Sequence, residues 1–455
     1  MPRDLYVLPA SPGQEWMWLI HHMLRDASPY VIAGMVRIRG PVDPGALGRS
    51  LDLLVERHEA LRTVFRMDPS GELSQVVRQA EPVDLARCGL DGTDTPRDQV
   101  PELLRELAAR PFDLSRGPLL RASLTRLGPQ DHVLALAVHH IVSDGWSMRL
   151  MTSELAEAYR RLTAGHVPDL PEPPLQYADF AVWHREWLTS QAAHEHLAYW
   201  RRQLDGASPL RLPLDPAPPA AGPAPTAPLR LGPATTVALT ETARRHGASL
   251  FMLLLTAYAA TLARFTGQRD FVVTVPVAGR SREELTRTVG LFVNTLPIRV
   301  DASGNPTLLE LLRRVRLTCL EAYDHQELPY ERMVREAAWQ RDRDNSRLGP
   351  AMFALRVPLL APRRLTGDTT VEVLEPPPAA GGMDLLAELA ETPGEGLHGY
   401  VAGRTGTFHP DTVRLLAGSL TTVLTIAATG GGVPLEELPV TVGAARRRSV
   451  RGGTP

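Results

Sequence analysis

Residues 138–147 read Val-His-His-Ile-Val-Ser-Asp-Gly-Trp-Ser, and their types converge on proton transfer. A histidine titrates near neutral pH and can take a proton from an attacking group or hand one on. The apolar run 132–140, HVLALAVHH, reads as a strand, on which successive side chains point to opposite faces. One of His139 and His140 therefore faces packed protein and the other enters whatever cleft the strand borders, so the two cannot share one role. Asp144 is close enough to organise the turn through hydrogen bonds or an arginine partner. Gly145 lets the backbone approach a ligand or take an unusual turn. Two adjacent histidines at a strand end are more often structural than catalytic, so the weight falls on what accompanies them.

The residues that follow, MRLMTSELAEAYRRL at 148–162, repeat apolar side chains at helical spacing, which puts the site at a strand–turn–helix junction. Other helices announce themselves by their starts: Asp43-Pro44 before ALGRSLDLLVERHEAL, Asn305-Pro306 before TLLELLRRVRLTCLEAY, and Pro410 before DTVRLLAGSLTTVLTIA. Short apolar runs at 30–38, 270–277 and 397–403 read as further strands. Segment 208–228 is rich in Pro and Ala, can neither pair as sheet nor continue a helix, and marks a linker or a surface excursion. Segment 375–382, EPPPAAGG, has similar chemistry and reads as another exposed loop.

At 455 residues and 44% hydrophobic content, the chain exceeds the roughly 250 to 300 residues at which single cores split. A net charge of -2 supplies no broad field for nucleic acid or an anionic membrane, and neither is expected as a partner. The sequence contains no Lys, so all 49 basic residues are Arg; Schiff-base enzymes and P-loop nucleotide hydrolases are thereby disfavoured. Cys88 and Cys319 lie far apart without metal-ligand spacing, so neither a disulfide framework nor a metal site is indicated, and both read as buried small hydrophobes. The first residues lack a signal-peptide run, and the most apolar stretch, 249–265, is too short and interrupted to span a bilayer, so the expected location is cytoplasmic.

The pattern H-H-x-x-x-D-G resembles the active-site motif of the condensation-domain superfamily, which includes chloramphenicol acetyltransferase-like acyltransferases. The resemblance extends in order along the chain: SPGQEWMWL at 11–19, RHEALRTVF at 57–65, YADFAVW at 177–183, VGLFVNTLPIR at 289–299, HQELPYE at 325–331, and a looser RDRDNSRLGP at 341–350. Heterocyclisation relatives carry D-x-x-x-x-D where His139 and His140 stand, and epimerisation relatives usually lack the F-V-N-T-L found at 292–296. Condensation is the better match. Departures are Gly13 where Ala usually precedes Gln14, Glu15-Trp16 where an Arg is usual, and Leu348-Gly349 where an Asn is common.

The resemblance implies an α/β (α+β) fold of two chloramphenicol acetyltransferase-like lobes in a V-shaped pseudo-dimer with a tunnel between them. Residues 1–175 would form the N-terminal lobe and 176–455 the C-terminal lobe, with the excursion at 208–228. It implies joining of an acyl group, held as a thioester on the phosphopantetheine arm of a peptidyl carrier protein, to a small amine or alcohol, with no bound cofactor. His140 is the expected base. Asp144 is expected to hold the loop by an ion pair with Arg280, and the Gly145 amide and the Ser147 hydroxyl could stabilise the oxyanion, although Ser147 could equally cap the following helix. Asn294 either lines the tunnel or makes a strand-edge or turn hydrogen bond. Arg57 and Arg62 read as buried structural contacts, and Trp183 and Trp187 as packing residues. His21, His22 and His194 have no supporting constellation and read as ordinary residues. Segment 434–448 resembles the start of a linker that leads into an adenylation domain, yet the sequence stops at Pro455, so a free-standing enzyme is expected, with an excised piece of a longer protein as the alternative; a monomer is expected because two lobes in one chain already make the shared site. Free-standing relatives often accept soluble amines or alcohols, and some, in enediyne pathways, make esters. A noncatalytic carrier-recruitment module and a coenzyme A-dependent acyltransferase are the alternatives.

Overall fold

The computed structural model describes residues 3–23, 30–89, 94–216, 218–219, 222–336, 350–356, 363–366, 369–374, 383–392 and 394–440. The sequence motif at 341–349, the loop at 375–382 and the end of the linker-like segment, 441–448, lie outside the described residues. The chain is mixed α/β and divides into two units: residues 1–194, 278–293 and 359–377 form one, and 195–277, 294–358 and 378–455 the other.

The first unit is built on a six-stranded sheet in the order Arg363–Thr366, Thr369–Leu374, Val31–Arg39, Asp131–His139, Leu120–Gly128, Leu85–Cys88. Asp131–His139 lies in the interior of this sheet, antiparallel to Val31–Arg39 and to Leu120–Gly128, and is buried along nearly its whole length on both faces, which matches its nearly unbroken apolar run. Helices Pro44–Arg57 and Gly145–Thr163 pack against each other, and their apolar stripes join the sheet in one core that includes Leu51, Leu54, Leu134, Leu136 and Met151. A three-stranded antiparallel sheet, Asp4–Pro9, Leu73–Arg78 and Thr63–Met67, completes the unit.

The second unit holds another six-stranded sheet, ordered Asn294–Asp301, Asp270–Val277, Ala351–Arg356, Leu385–Thr392, Gly396–Gly403, Thr226–Leu231. Helix Leu250–Thr266 is buried almost all round, which accounts for its apolar composition. Among the described residues no single helix is long and apolar enough to cross a membrane.

Several local expectations are corrected. Helix Pro44–Arg57, capped by the Asp43 carboxylate on Gly45 N and Ala46 N, does not run on to residue 61. His58 is extended (φ -106°, ψ 101°) and starts a 3-10 turn at Glu59–Arg62, while its ring is drawn to Glu154 at 2.7 Å. Helix Leu308–Asp324 is capped by a reciprocal Thr307–Glu310 box, whereas Asn305 turns the chain with φ 50°. The Pro/Ala-rich segment ends in sheet after all: residues 226–228 open strand Thr226–Leu231. This is an edge strand, where the missing N–H of Pro228 is tolerated. Cys319 is buried but Cys88 is exposed, because it ends strand Leu85–Cys88 at the margin of the first unit's six-stranded sheet.

Candidate active site

Strand Asp131–His139 ends where its ladder does: His139 N–H donates to Leu119 O at 3.0 Å and His140 N–H to Tyr30 O at 2.8 Å. The chain then tightens into a 3-10 turn, His140–Val142, before helix Gly145–Thr163. His139 is fully buried. Its Nδ1 accepts from Ile141 N–H at 3.1 Å, its Nε2 lies 3.2 Å from His21 Nδ1, and the Phe112 ring stands edge-on at 5.9 Å. Burial first, then the neighbouring His21 and His140, push its pKa down to about 3. His140 is half-buried, with Nδ1 covered and the backbone of His140 and Ser143 beside the ring, which leaves Nε2 as the accessible nitrogen. Burial pushes its pKa below the usual 6.5, and the Asp144 carboxylate works the other way. Both rings are neutral at pH 7, and only His140 presents a nitrogen from which to act as a base.

These depressed values predict acid sensitivity. Between 6.5 and the lower folded values the unfolded chain binds protons that the fold refuses. The contribution is therefore complete above pH 6.5 and lost as pH falls, by at most about 1.4 kcal/mol per pH unit for each group. Urea midpoints should be lower at pH 5.5 than at pH 7.5, and the His139 resonances should keep neutral-imidazole shifts at pH 5. A His139 titration centred near 6.5 would contradict this.

Asp144 is the N-cap of helix Gly145–Thr163: Oδ1 accepts from Ser147 N–H at 2.7 Å. The rest of its carboxylate is enclosed by Arg280, whose Nη1 is 2.8 Å from Oδ2 and whose Nη2 is 3.2 Å from Oδ1, and by the N–H groups of Phe292 and Val293 at 3.0 and 3.1 Å. The two side chains are 2% and 1% exposed. Arg280 also donates to Leu285 O, Thr288 O and Ser147 Oγ and lies over the Phe292 ring. Segment 278–293 is thereby fastened to the helix that starts at the motif.

Ser147 is not the cap, because Asp144 occupies that role. Its hydroxyl donates to Gly290 O at 2.9 Å and accepts from Gly290 N–H at 3.1 Å and Arg280 Nη2 at 2.9 Å, so its one proton is already committed. Gly145 is exposed, and a Cβ there meets nothing within 4 Å at an ordinary φ; no fold requirement explains the glycine, and the space where its side chain would stand is open. Gly290 is the opposite case, since a Cβ there lies 2.0 Å from Tyr177 Cδ2. The Tyr177 ring cannot retreat freely, because its hydroxyl bridges Leu291 O and Ser11 Oγ. Gly290→Ala should lower stability by about 1–3 kcal/mol through overpacking. Gly145→Ala should leave the urea midpoint unchanged and cut turnover by about tenfold to a hundredfold by obstructing approach to the helix N-terminus. If Gly145→Ala instead unfolded the protein, the open-space reading would fail.

Asn294 spends three of its four hydrogen bonds on the loop of the HQELPYE motif: Nδ2 donates to Gln326 O and Leu328 O, both at 2.8 Å, and Oδ1 accepts from Tyr330 N–H as well as from its neighbour Thr295 N–H. Arg57 pairs with Glu154 at 3.1 Å and is 8% exposed; Arg62 meets Arg78 O and Glu59. Trp183 and Trp187 are half-buried on either side of His184, and Arg282 lies over Trp183. Glu15, where an Arg is usual, pairs with Arg185.

Two residues of the site carry no assignment from sequence. Gln14 is buried, accepts from Ser11 N–H, and donates to Ile141 O at 3.4 Å; its place in the 11–19 motif is the available signal. His21, which reads as ordinary in sequence, touches His139, and no local pattern announces it. Among the described residues no group of three or more His, Cys, Asp or Glu could hold a metal ion.

Comparison with known proteins supplies the context. A family model described as Condensation domain matches residues 5–438. A linear gramicidin synthase protein of Brevibacillus parabrevis is 43% identical over 364 residues, 78% of this chain and 5% of that protein. Chondramide synthase of Chondromyces crocatus is 35% identical over 448 residues, 97% of this chain and 11% of that protein. The chain thus spans only a small part of the length of these relatives. Among solved structures, the X-domain from teicoplanin biosynthesis superposes with a TM-score of 0.84 at 27% identity, covering 95% of this chain and 97% of that one; it has also been solved in complex with OxyB. SgcC5 from Streptomyces globisporus, in complex with (R)-(-)-1-(2-naphthyl)-1,2-ethanediol, is similar at 28% identity and a TM-score of 0.76, covering 94% of this chain and 100% of that one.

Proposed function

The chain belongs to the condensation-domain family, and from that premise we propose that it joins an acyl group, delivered as a carrier-protein thioester, to an amine, forming an amide in natural-product biosynthesis. The observation that carries this reading is the division of labour within the histidine pair. His139 is buried and bonded into the turn, while the adjacent His140 stays neutral with Nε2 accessible.

His140 Nε2 accepts a hydrogen bond from the attacking amine, orients it, and takes its proton as nitrogen adds to the thioester carbonyl. The Gly145 amide, at the positive end of helix Gly145–Thr163, is the donor offered to the developing oxyanion. Collapse of the tetrahedral species expels the phosphopantetheine thiolate, which recovers a proton from the imidazolium and leaves His140 neutral again. No resident cofactor takes part. Asp144 acts by holding the turn and does not touch the reacting atoms.

Two other readings have specific support. A hydroxyl acceptor, giving an ester, is favoured by the diol bound to SgcC5, and the same His140 would serve a hydroxyl even more, since a neutral alcohol is a poor nucleophile. Recruitment of a partner without catalysis is favoured by the X-domain–OxyB complex. The test is product mass after mixing the protein with aminoacyl-loaded carrier protein and a matched amine and diol. An amide product supports the proposal, an ester product replaces the acceptor, and absence of transfer from several donors favours recruitment.

A further inference from the structure

The two imidazoles His139 and His21 are joined at 3.2 Å, Nε2 to Nδ1, and the direction of that bond follows from what holds the other side of His139. Ile141 N–H donates to His139 Nδ1 at 3.1 Å, so in the neutral ring the proton must sit on Nε2. His21 Nδ1 is then the acceptor, and His21 carries its own proton on Nε2. The same helix, Pro12–Met23, supplies Gln14, which donates to Ile141 O. Both backbone polar groups of Ile141, the residue next to His140, are thus held, one directly from this helix and one through His139.

We infer that His21 is a positioning residue: by accepting from His139 Nε2 it fixes the His139 tautomer, keeps Nδ1 free to hold Ile141 N–H, and so sets the turn that carries His140. The reasoning is one of donors and acceptors in a buried place. If the proton of His139 moves to Nδ1, two donors confront each other at Ile141 and the turn loses its anchor. If His21 is replaced by an apolar residue, Nε2–H is left buried and unpaired, which lowers the preference for the productive tautomer and leaves the Ile141 N–H bond as its one support. Nothing in this role requires His21 to meet substrate.

The tautomer is read directly by nitrogen-15 NMR of the histidine-labelled protein, independently of turnover. His139 should show a protonated Nε2 and an unprotonated Nδ1; the reverse pattern in the unaltered protein overturns the inference. In His21→Leu the single-tautomer signature of His139 should weaken, with an Nδ1-protonated population becoming detectable, and kcat for acyl transfer should fall by about tenfold to a hundredfold, the cost of one unsatisfied buried donor, with KM for the acceptor little changed. His21→Asn places an amide oxygen near the position of Nδ1 and should restore both the signature and most of kcat. A leucine variant with unaltered signature and kcat, or an asparagine variant no better than leucine, would also overturn it. Only the kinetic arm rests on the condensation reading. Should the protein prove to be a recruitment module, the tautomer arm still decides the role of His21.

Discussion

Replacing His140 with alanine should lower kcat for acyl transfer by about a hundredfold to ten-thousandfold, the range of a lost general base, while circular dichroism and the urea midpoint stay close to those of the parent. The expectation of an intact fold has a structural basis. None of the other bonds that hold the turn runs through the His140 ring: Ile141 N–H to His139, Ile141 O from Gln14, and Asp144 to Ser147 and Arg280 all remain when it is removed. The loss should be larger for a hydroxyl acceptor than for an amine. Because the pKa of His140 is held below 6.5, the parent should keep its base through pH 6.5 and lose activity only on the acid side of it. The alanine variant should lack that limb. Equal turnover by parent and variant across the pH range would remove His140 from the mechanism.

Removing either member of the Asp144–Arg280 pair should destabilise the protein by about 3–5 kcal/mol, the cost of leaving one charge uncompensated in a dry site. Arg280→Met strands a carboxylate that is 2% exposed; Asp144→Asn strands a guanidinium that is 1% exposed. The double variant should be less destabilised than the sum of the two singles, because neither uncompensated charge then remains. The residual loss in the double variant reports on the backbone donors of Ser147, Phe292 and Val293, which the carboxylate serves in addition to the arginine. Urea denaturation of the four proteins closes the cycle. Additive single effects, or singles within about 1 kcal/mol of the parent, would mean that the pair is solvated and that the turn is held by other means. Since both variants also loosen the start of helix Gly145–Thr163, reduced activity in them is a stability effect unless it persists under conditions where the fold is fully populated.

The strand–turn–helix junction that carries His139, His140 and Asp144 is legible from sequence because each ingredient is local. Strand Asp131–His139 and helix Gly145–Thr163 each follow from the spacing of their own apolar residues, and alternation along a strand already separates the fates of two adjacent histidines. The same locality explains the errors. Sequence periodicity carries the helix at 44–57 past His58, yet the extended backbone there accompanies a bond to Glu154, 96 residues away. Composition makes Cys88 a buried residue, and it cannot reveal that its strand lies at a margin of the sheet.

By itself, then, the sequence carried the motifs by which the chain resembles its family, and its periodicity and spacing determined the mixed α/β class and the placing of residue types that can move a proton at one strand–turn–helix junction. The tertiary structure decided which histidine is buried, that the hydroxyl of Ser147 is committed to Gly290, that Asn294 serves the loop at 326–330, and that His21 faces His139. Each of those outcomes depends on a partner 32 or more residues distant. A buried donor must find an acceptor wherever packing provides one, and no local pattern records which distant residue that will be.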